Sequence, residues 1–295
     1  LDYLLTILDD DLGALDATYA LNRNIYQYLS KEQQNTLLDK LKSMIENEDS
    51  INSYVISEIA YSLAYIYSEG LTAPEDSEMA LPFYKKAAEL GNLSATIDLG
   101  WLFFTDPKLL NYQEAIRYTS KVAEQKDDNY YSAWAYNNLG VIYDTNEEYE
   151  LAAKNYKKAV NLMKDSDFDG SYSAGNLARL FIIGALKEGI DPELAKKYAK
   201  IANDQGETFL YSFLNRYSLK PSTSIKEIQA WFEEMVLEGK TKGLVEIAWL
   251  NQKSGANPKA AIKWFTLCTF LCEEDNYITL SNEGLSLLKK ETSGS

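Results

Sequence analysis

The chain has no histidine among its 295 residues. That removes the commonest general base, the commonest metal ligand and the side chain that titrates nearest neutral pH. It also leaves no serine or cysteine with the imidazole that usually activates a nucleophile. Cysteine is almost missing too, with only Cys268 and Cys272. These two lie one turn apart in a segment of helical pattern, where side-chain geometry suits a disulfide poorly and two thiols leave a zinc site incomplete. Packing in the core is their expected role. Such sparing use of cysteine favours a reducing, cytoplasmic setting. Leu1 stands where Met would, which reads as trimming, so the lack of a leader says nothing about compartment.

Six prolines and fifteen glycines are too few for a turn-rich β fold. No stretch approaches the roughly 18 uncharged apolar residues of a membrane-spanning helix. Cations are also short. Lys and Arg number 29 against 44 Asp and Glu, a formal charge of −15, which argues against nucleic acid and against a basic membrane-binding patch.

What is present is a repeat. In Ile59–Gly91, Ile59, Leu63 and Tyr67 fall on one stripe of a helix, with small Ala64 beside them. A polar turn follows at Ala73, Pro74, Glu75 and Asp76. A second helix then carries Ala80, Phe83, Tyr84, Ala87 and Ala88 and closes on Gly91. The second-helix signature recurs as Ala80, Ala115, Ala152, Ala195, Ile228 and Ala261. Its spacing ranges from 33 residues (Ala195 to Ile228) to 43 (Ala152 to Ala195), and bulky residues mostly follow three and four places on. The first helices repeat as Leu63-Ala64 with Tyr67, Leu99-Gly100 with Phe103, Leu139-Gly140 with Tyr143 and Leu177-Ala178 with Phe181. Degenerate copies stand at Phe213 and Ile247. Gly91, Gly206 and Gly239 close units. Before the array, Ser30 and Gln33 have the spacing of a capping box that opens a helix.

This pattern resembles the Sel1-like repeat, a relative of the tetratricopeptide repeat, over roughly residues 55–272. Ala80–Gly91, with Lys86, Ala87 and Ala88, carries the likeness most closely. Tyr149, Ala152, Tyr156 and Ala159 are similar to the tetratricopeptide variant. The resemblance implies an all-α fold, a right-handed α-solenoid of helix-turn-helix repeats with helical caps at both ends. Residues 1–50 would be the N-terminal cap, 51–272 about six hairpins, and 273–295 a capping helix and frayed tail. It also implies an adaptor, scaffold or inhibitor of other proteins rather than an enzyme, with no cofactor.

In such a solenoid the first helices line the concave side. Side chains there that the repeat does not need for packing are the candidate partner-binding residues: Tyr61, Tyr65, Trp101, Phe104, Trp134, Asn137, Tyr172, Arg179, Tyr211, Asn215 and Trp249. Aromatic residues fill the groove positions about twice as often as the 13% of the whole chain predicts, and Trp and Tyr are common interface anchors. An aromatic groove on an acidic chain suits a protein or peptide segment that bears Lys or Arg. The alternative is an immunity-type protein that occludes a toxin or enzyme. The sequence does not indicate an oligomeric state.

Few constellations look like chemistry. Asp165, Asp167, Asp169 and Gly170 open like a calcium loop, but Asn176 stands where a bidentate Glu is needed. An acidic turn is the plainer reading. Asp9-Asp10-Asp11, Asp127-Asp128 and Glu273-Glu274-Asp275 lie near expected helix ends, where solvated carboxylates are ordinary. Glu58 with Asp144 is the sole carboxylate pair a groove could offer to acid–base work.

Overall fold

The computed structural model describes residues 28–47, 51–70, 76–125, 128–162, 169–253 and 258–272, with scattered positions between 278 and 288. Within these there are thirteen helices and no strand. Helix α1 (Lys31–Glu46) stands before the array. Six hairpins follow. They are α2 (Ser53–Ser68) with α3 (Ser77–Glu89), α4 (Leu93–Thr105) with α5 (Tyr112–Ala123), and α6 (Asn129–Thr145) with α7 (Tyr149–Leu162). Next come α8 (Ser171–Ile183) with α9 (Pro192–Asn203), α10 (Phe209–Arg216) with α11 (Ile225–Leu237), and α12 (Lys242–Lys253) with α13 (Pro258–Leu271). The chain divides into two compact units, 1–131 and 132–295.

Each helix starts where its sequence allows. Ser30 and Gln33 form the reciprocal capping box, as do Ser224 and Glu227. Asp76, Asn92, Asn111 and Asp191 cap α3, α4, α5 and α9 by accepting an N–H from the first turn. The hairpins close in one recurring way. The residue that opens the second helix donates its N–H to the carbonyl of the first-helix aromatic: Asp76 to Tyr67, Asn111 to Phe103, Glu148 to Tyr143 and Asp191 to Phe181. In three of these hairpins that aromatic also stacks on a second-helix ring, Tyr67 5.8 Å from Phe83, Phe103 5.8 Å from Tyr118 and Phe181 5.9 Å from Tyr198, and Tyr217, just past α10, lies 5.1 Å from Trp231, all nearly parallel. Gly91 ends α3 at a φ of +92°, and the next N–H, of Asn92, returns to the Ala87 carbonyl. Gly206 and Gly239 repeat that closure.

The small residue after the central Leu makes room for the second helix. A Cβ on Gly140 would sit 2.4 Å from the Tyr156 ring, and Tyr156 is fully buried. Gly140→Ala therefore gains helix propensity of about 1 kcal/mol but must displace a ring with nowhere to go. A net loss of up to about 2 kcal/mol is expected, since overpacking costs about 1–3 kcal/mol. Urea unfolding of the two proteins measures it, and an unchanged midpoint would mean that the ring yields.

Within the first unit α1 packs on α2, α2 on α3, α3 on α4 and α4 on α5. Within the second, α7 packs on α8, α8 on α9, α9 on α10, α11 on α12 and α12 on α13. Tyr156, Leu177, Phe213 and Phe232 centre its main core, while Leu244, Phe265, Cys268 and Cys272 centre that of the last hairpin.

The two cysteines do lie in that core, but not as thiols. Cys268 and Cys272 are joined as a disulfide with a Cα–Cα separation of 4.9 Å, against the expectation from their helical spacing. That separation lies within the ordinary disulfide range. The pair can form because Leu271 is the last residue of α13, so Cys272 stands just past the helix end rather than within it. Its backbone N–H still reaches the Cys268 carbonyl at 2.9 Å. The turn at 73–75, Asp9-Asp10-Asp11, Asp127, Asp165, Asp167 and Glu273-Glu274-Asp275 fall outside the described residues.

Candidate partner-binding surface

Helix α2 spends Ile56, Ile59, Ala60, Leu63 and Tyr67 on the core. Its other side carries Glu58, Tyr61 and Tyr65, which are separated by three and four residues and so follow one another along the helix. Helix α4 does the same with Ser94, Asp98 and Trp101, while Leu99, Gly100 and Phe103 face inward. All six outward residues are half-buried.

These side chains are tied to one another across the two helices. The Tyr61 hydroxyl donates to Asp98 Oδ2 at 2.9 Å. The Asn92 amide, whose oxygen caps α4 by accepting from the Ala95 N–H, donates its Nδ2 to Glu58 Oε1 at 2.8 Å. Ser94 Oγ meets the Tyr131 hydroxyl at 3.2 Å, and the Tyr61 ring lies 6.2 Å from that of Tyr84. Burial pushes the Asp98 carboxyl up to about 7, with the Tyr61 hydrogen bond pulling back and the charge of Glu69 adding to the rise. Burial raises Glu58 as well. The Tyr61, Tyr65 and Tyr84 hydroxyls are driven up first by burial and then by the nearby carboxylates, so these tyrosines stay neutral. Among the described residues neither Asp98 nor Glu58 is in an ion pair.

The other candidates divide. Phe104 is only 2% exposed, with its ring edge-on to Tyr112 and 5.2 Å from that of Trp101, so it fills the hairpin interior. Arg179 is likewise internal, at 9% exposed. Its Nε and Nη2 donate to the two oxygens of Glu246 at 2.7 and 3.1 Å, and its Nη1 donates to Asn176 Oδ1 at 2.6 Å. Tyr172 is 47% exposed and Asn215 is exposed. Trp134, Asn137, Tyr211 and Trp249 are half-buried. The Asn137 oxygen accepts from Ser173 Oγ at 2.7 Å, and Trp249 meets Phe265 edge-on at 5.2 Å.

The residues proposed for other chemistry are engaged locally. Asp169 accepts the Ser171 N–H at 2.9 Å, Ser173 is held by Asn137 and Asn176 by Arg179, so these three are bound into the start of α8. Asp128 accepts the N–H groups of Tyr130 and Tyr131 at the opening of α6. Glu58 belongs to α2 in the first unit and buried Asp144 to α6 in the second. Among the described residues no group of three His, Cys, Asp or Glu could hold a metal, and no helix is long and apolar enough to cross a membrane.

The sequence reading passed over Asp98 and Glu246. Both directly precede the central packing residue of their first helix, Leu99 and Ile247. The same register holds Ser62, Asn138, Asn176 and Ser212 elsewhere. A polar residue recurring beside a core leucine was the available signal.

The Sel1 repeat family model matches residues 57–92, 93–127, 171–207 and 251–267. Among solved structures, a protective antigen present in uropathogenic Escherichia coli strains, displaying an SLR fold, superposes with a TM-score of 0.54 at 21% identity. The match covers 95% of this chain and 56% of that one, so the chain spans little more than half of its length. A Sel1 repeat protein from Oxalobacter formigenes gives a TM-score of 0.50 at 18% identity, covering 79% of this chain and 89% of that one. No curated protein matches the chain. Sel1 repeats generally mediate protein–protein interaction and are typically non-catalytic. The chain thus carries stretches similar to the Sel1 repeat at four places, on stacked helical hairpins whose fold is that of the solved SLR proteins.

Proposed function

We propose that the protein is a non-catalytic interaction module that binds a protein or peptide segment of basic character, using side chains its first helices leave out of the core. The observation that carries this reading is the division within α2 and α4. One side is consumed by packing, and the other keeps Tyr61, Tyr65 and Trp101 half-buried beside carboxylates that meet no cation among the described residues. Rings of this kind supply contact area at little cost in conformational entropy. The net charge of −15 draws a basic segment toward them and lowers the affinity of acidic competitors. In the second unit Trp134, Asn137, Tyr172, Tyr211, Asn215 and Trp249 are the corresponding contacts.

The test is capture with the whole chain as bait, comparing the native sequence with a Trp101→Ala, Trp134→Ala double variant. The expected outcome is a small, salt-sensitive set of retained proteins whose recovery falls by about tenfold or more in the variant, as removing two anchor residues should cause. Circular dichroism of the two proteins should be the same. Undiminished capture by a variant of intact helicity would overturn the reading.

A further inference from the structure

We propose that Asp98, with the Tyr61 hydroxyl bound to it and the Tyr65 and Trp101 rings beside it, is the receptor for one lysine or arginine side chain of the bound segment. This rests on the interaction reading above and names the chemistry of its central contact. Asp98 and Glu246 occupy the same place in their repeats, immediately before the core residue of the first helix. Glu246, only 2% exposed, receives a two-pronged guanidinium from Arg179. Asp98 receives one phenolic hydroxyl and, among the described residues, no cation.

The register that supplies the arginine is informative as well. Arg179 stands two residues after its core leucine, Leu177, and the residues two places after Leu63 and Leu99 are Tyr65 and Trp101. Where the second unit holds its own guanidinium, the first unit holds two rings, and the faces of Tyr and Trp are surfaces on which a lysine or arginine stacks. Burial raises the Tyr65 hydroxyl first, and the charges of Glu69 and then Asp98 add to the rise.

Access separates the two sites. Arg179 and Glu246 are closed over, whereas Tyr61, Tyr65, Asp98 and Trp101 each keep part of their surface in solvent. An incoming ammonium or guanidinium would meet the ionised carboxylate while Tyr61 still donates to Oδ2. A carboxylate in surroundings that disfavour its charge gains more from such a partner than an exposed one, because less of its charge is already solvated.

The experiment selects short random peptides on a display library against the whole chain. Each enriched peptide is then synthesised with and without its basic residue, arginine becoming citrulline and lysine acetyl-lysine. Affinities are measured on the native protein and on Asp98→Asn, which keeps an oxygen for Tyr61 to donate to. The expected result is enrichment of peptides that share a lysine or arginine. Neutralising it should cost about tenfold or more on the native protein but less than about twofold on the variant, the mark of a direct coupling. Tyr65→Leu, which keeps the acid and removes a ring, should weaken the same peptides several-fold and serves should Asp98→Asn misfold. Peptides that bind without a basic residue, or whose basic residue matters equally in the variant, overturn the anchor and leave the interaction reading standing. A selection that yields no binding peptide overturns both.

Discussion

Arg179→Met is expected to cost about 3–5 kcal/mol of stability, the usual penalty for stripping one partner from a buried ion pair. Arg179 joins α8 to α12, across 67 residues of chain, and fills both oxygens of a carboxylate that solvent hardly reaches. In the native protein burial pushes Glu246 up, but the charge and hydrogen bonds of Arg179, with a smaller share from the charge of Lys242, outweigh it and hold the carboxyl below its ordinary range. A group depressed in this way gives stability that is present above its unfolded pKa and is lost as pH falls through the folded one. Without the arginine the order reverses. The orphaned carboxyl prefers its neutral form, so the variant should be hurt more at pH 8 than at pH 5. Urea unfolding at the two pH values measures both effects. An Arg179→Met, Glu246→Leu double variant should recover most of the loss, because apolar groups of similar size often replace a buried pair at little cost. A single variant within about 1 kcal/mol of the native protein, the range of an exposed pair, would mean that the pair does not fasten these helices.

Asp98→Asn is expected to do the opposite and stabilise the protein. The Asp98 carboxyl is pushed up to about 7 from an ordinary 3.8, so between those values the folded chain holds a proton that the unfolded chain has released. Stability therefore falls as pH rises through that window and stays lower above it. The whole difference corresponds to about 4 kcal/mol at about 1.4 kcal/mol per unit. Asp98 is only half-buried, so roughly half of that, about 2 kcal/mol, is the expected gain of the asparagine variant at pH 8. The gain should vanish near pH 4, where both proteins are neutral at this position. The groups that face Asp98 are Tyr61, Tyr65 and Glu69 from α2 and its end, and Tyr84 from α3. None of these brings a positive charge. Parallel melts of the two proteins from pH 4 to pH 8 decide the matter, and equal stability at pH 8 would show that the acid is comfortably solvated. A residue kept at a cost to stability is what a binding site is expected to contain.

Much of the architecture was legible because it is written locally. The Leu63, Leu99, Leu139 and Leu177 stripes, the small residue after each, and the closing glycines at 91, 206 and 239 are all consequences of helix period and turn conformation. The capping box at Ser30 follows from side chains three residues apart. The candidate surface was legible only in part. Tyr61, Tyr65 and Trp101 could be found by subtracting the packing register from the first helices. Phe104 passes the same subtraction but is covered by Tyr112 of α5, and Arg179 passes it but is taken by Glu246.

The helices, their pairing and the division of each first helix into a packing side and a side left over follow from the order of residues alone. These rest on contacts between near neighbours, whose spacing the chain states directly. Which left-over residues are still available depends on how distant helices pack. Tyr61 reaches Asp98 from 37 residues away and Arg179 reaches Glu246 from 67, with the eight-residue α10 in the interval between the latter two. Two acids at one register thus end in opposite conditions, one neutralised inside the protein and one facing solvent among rings. Whether a charge finds its partner depends on where a distant helix comes to rest, and register alone does not encode that distance.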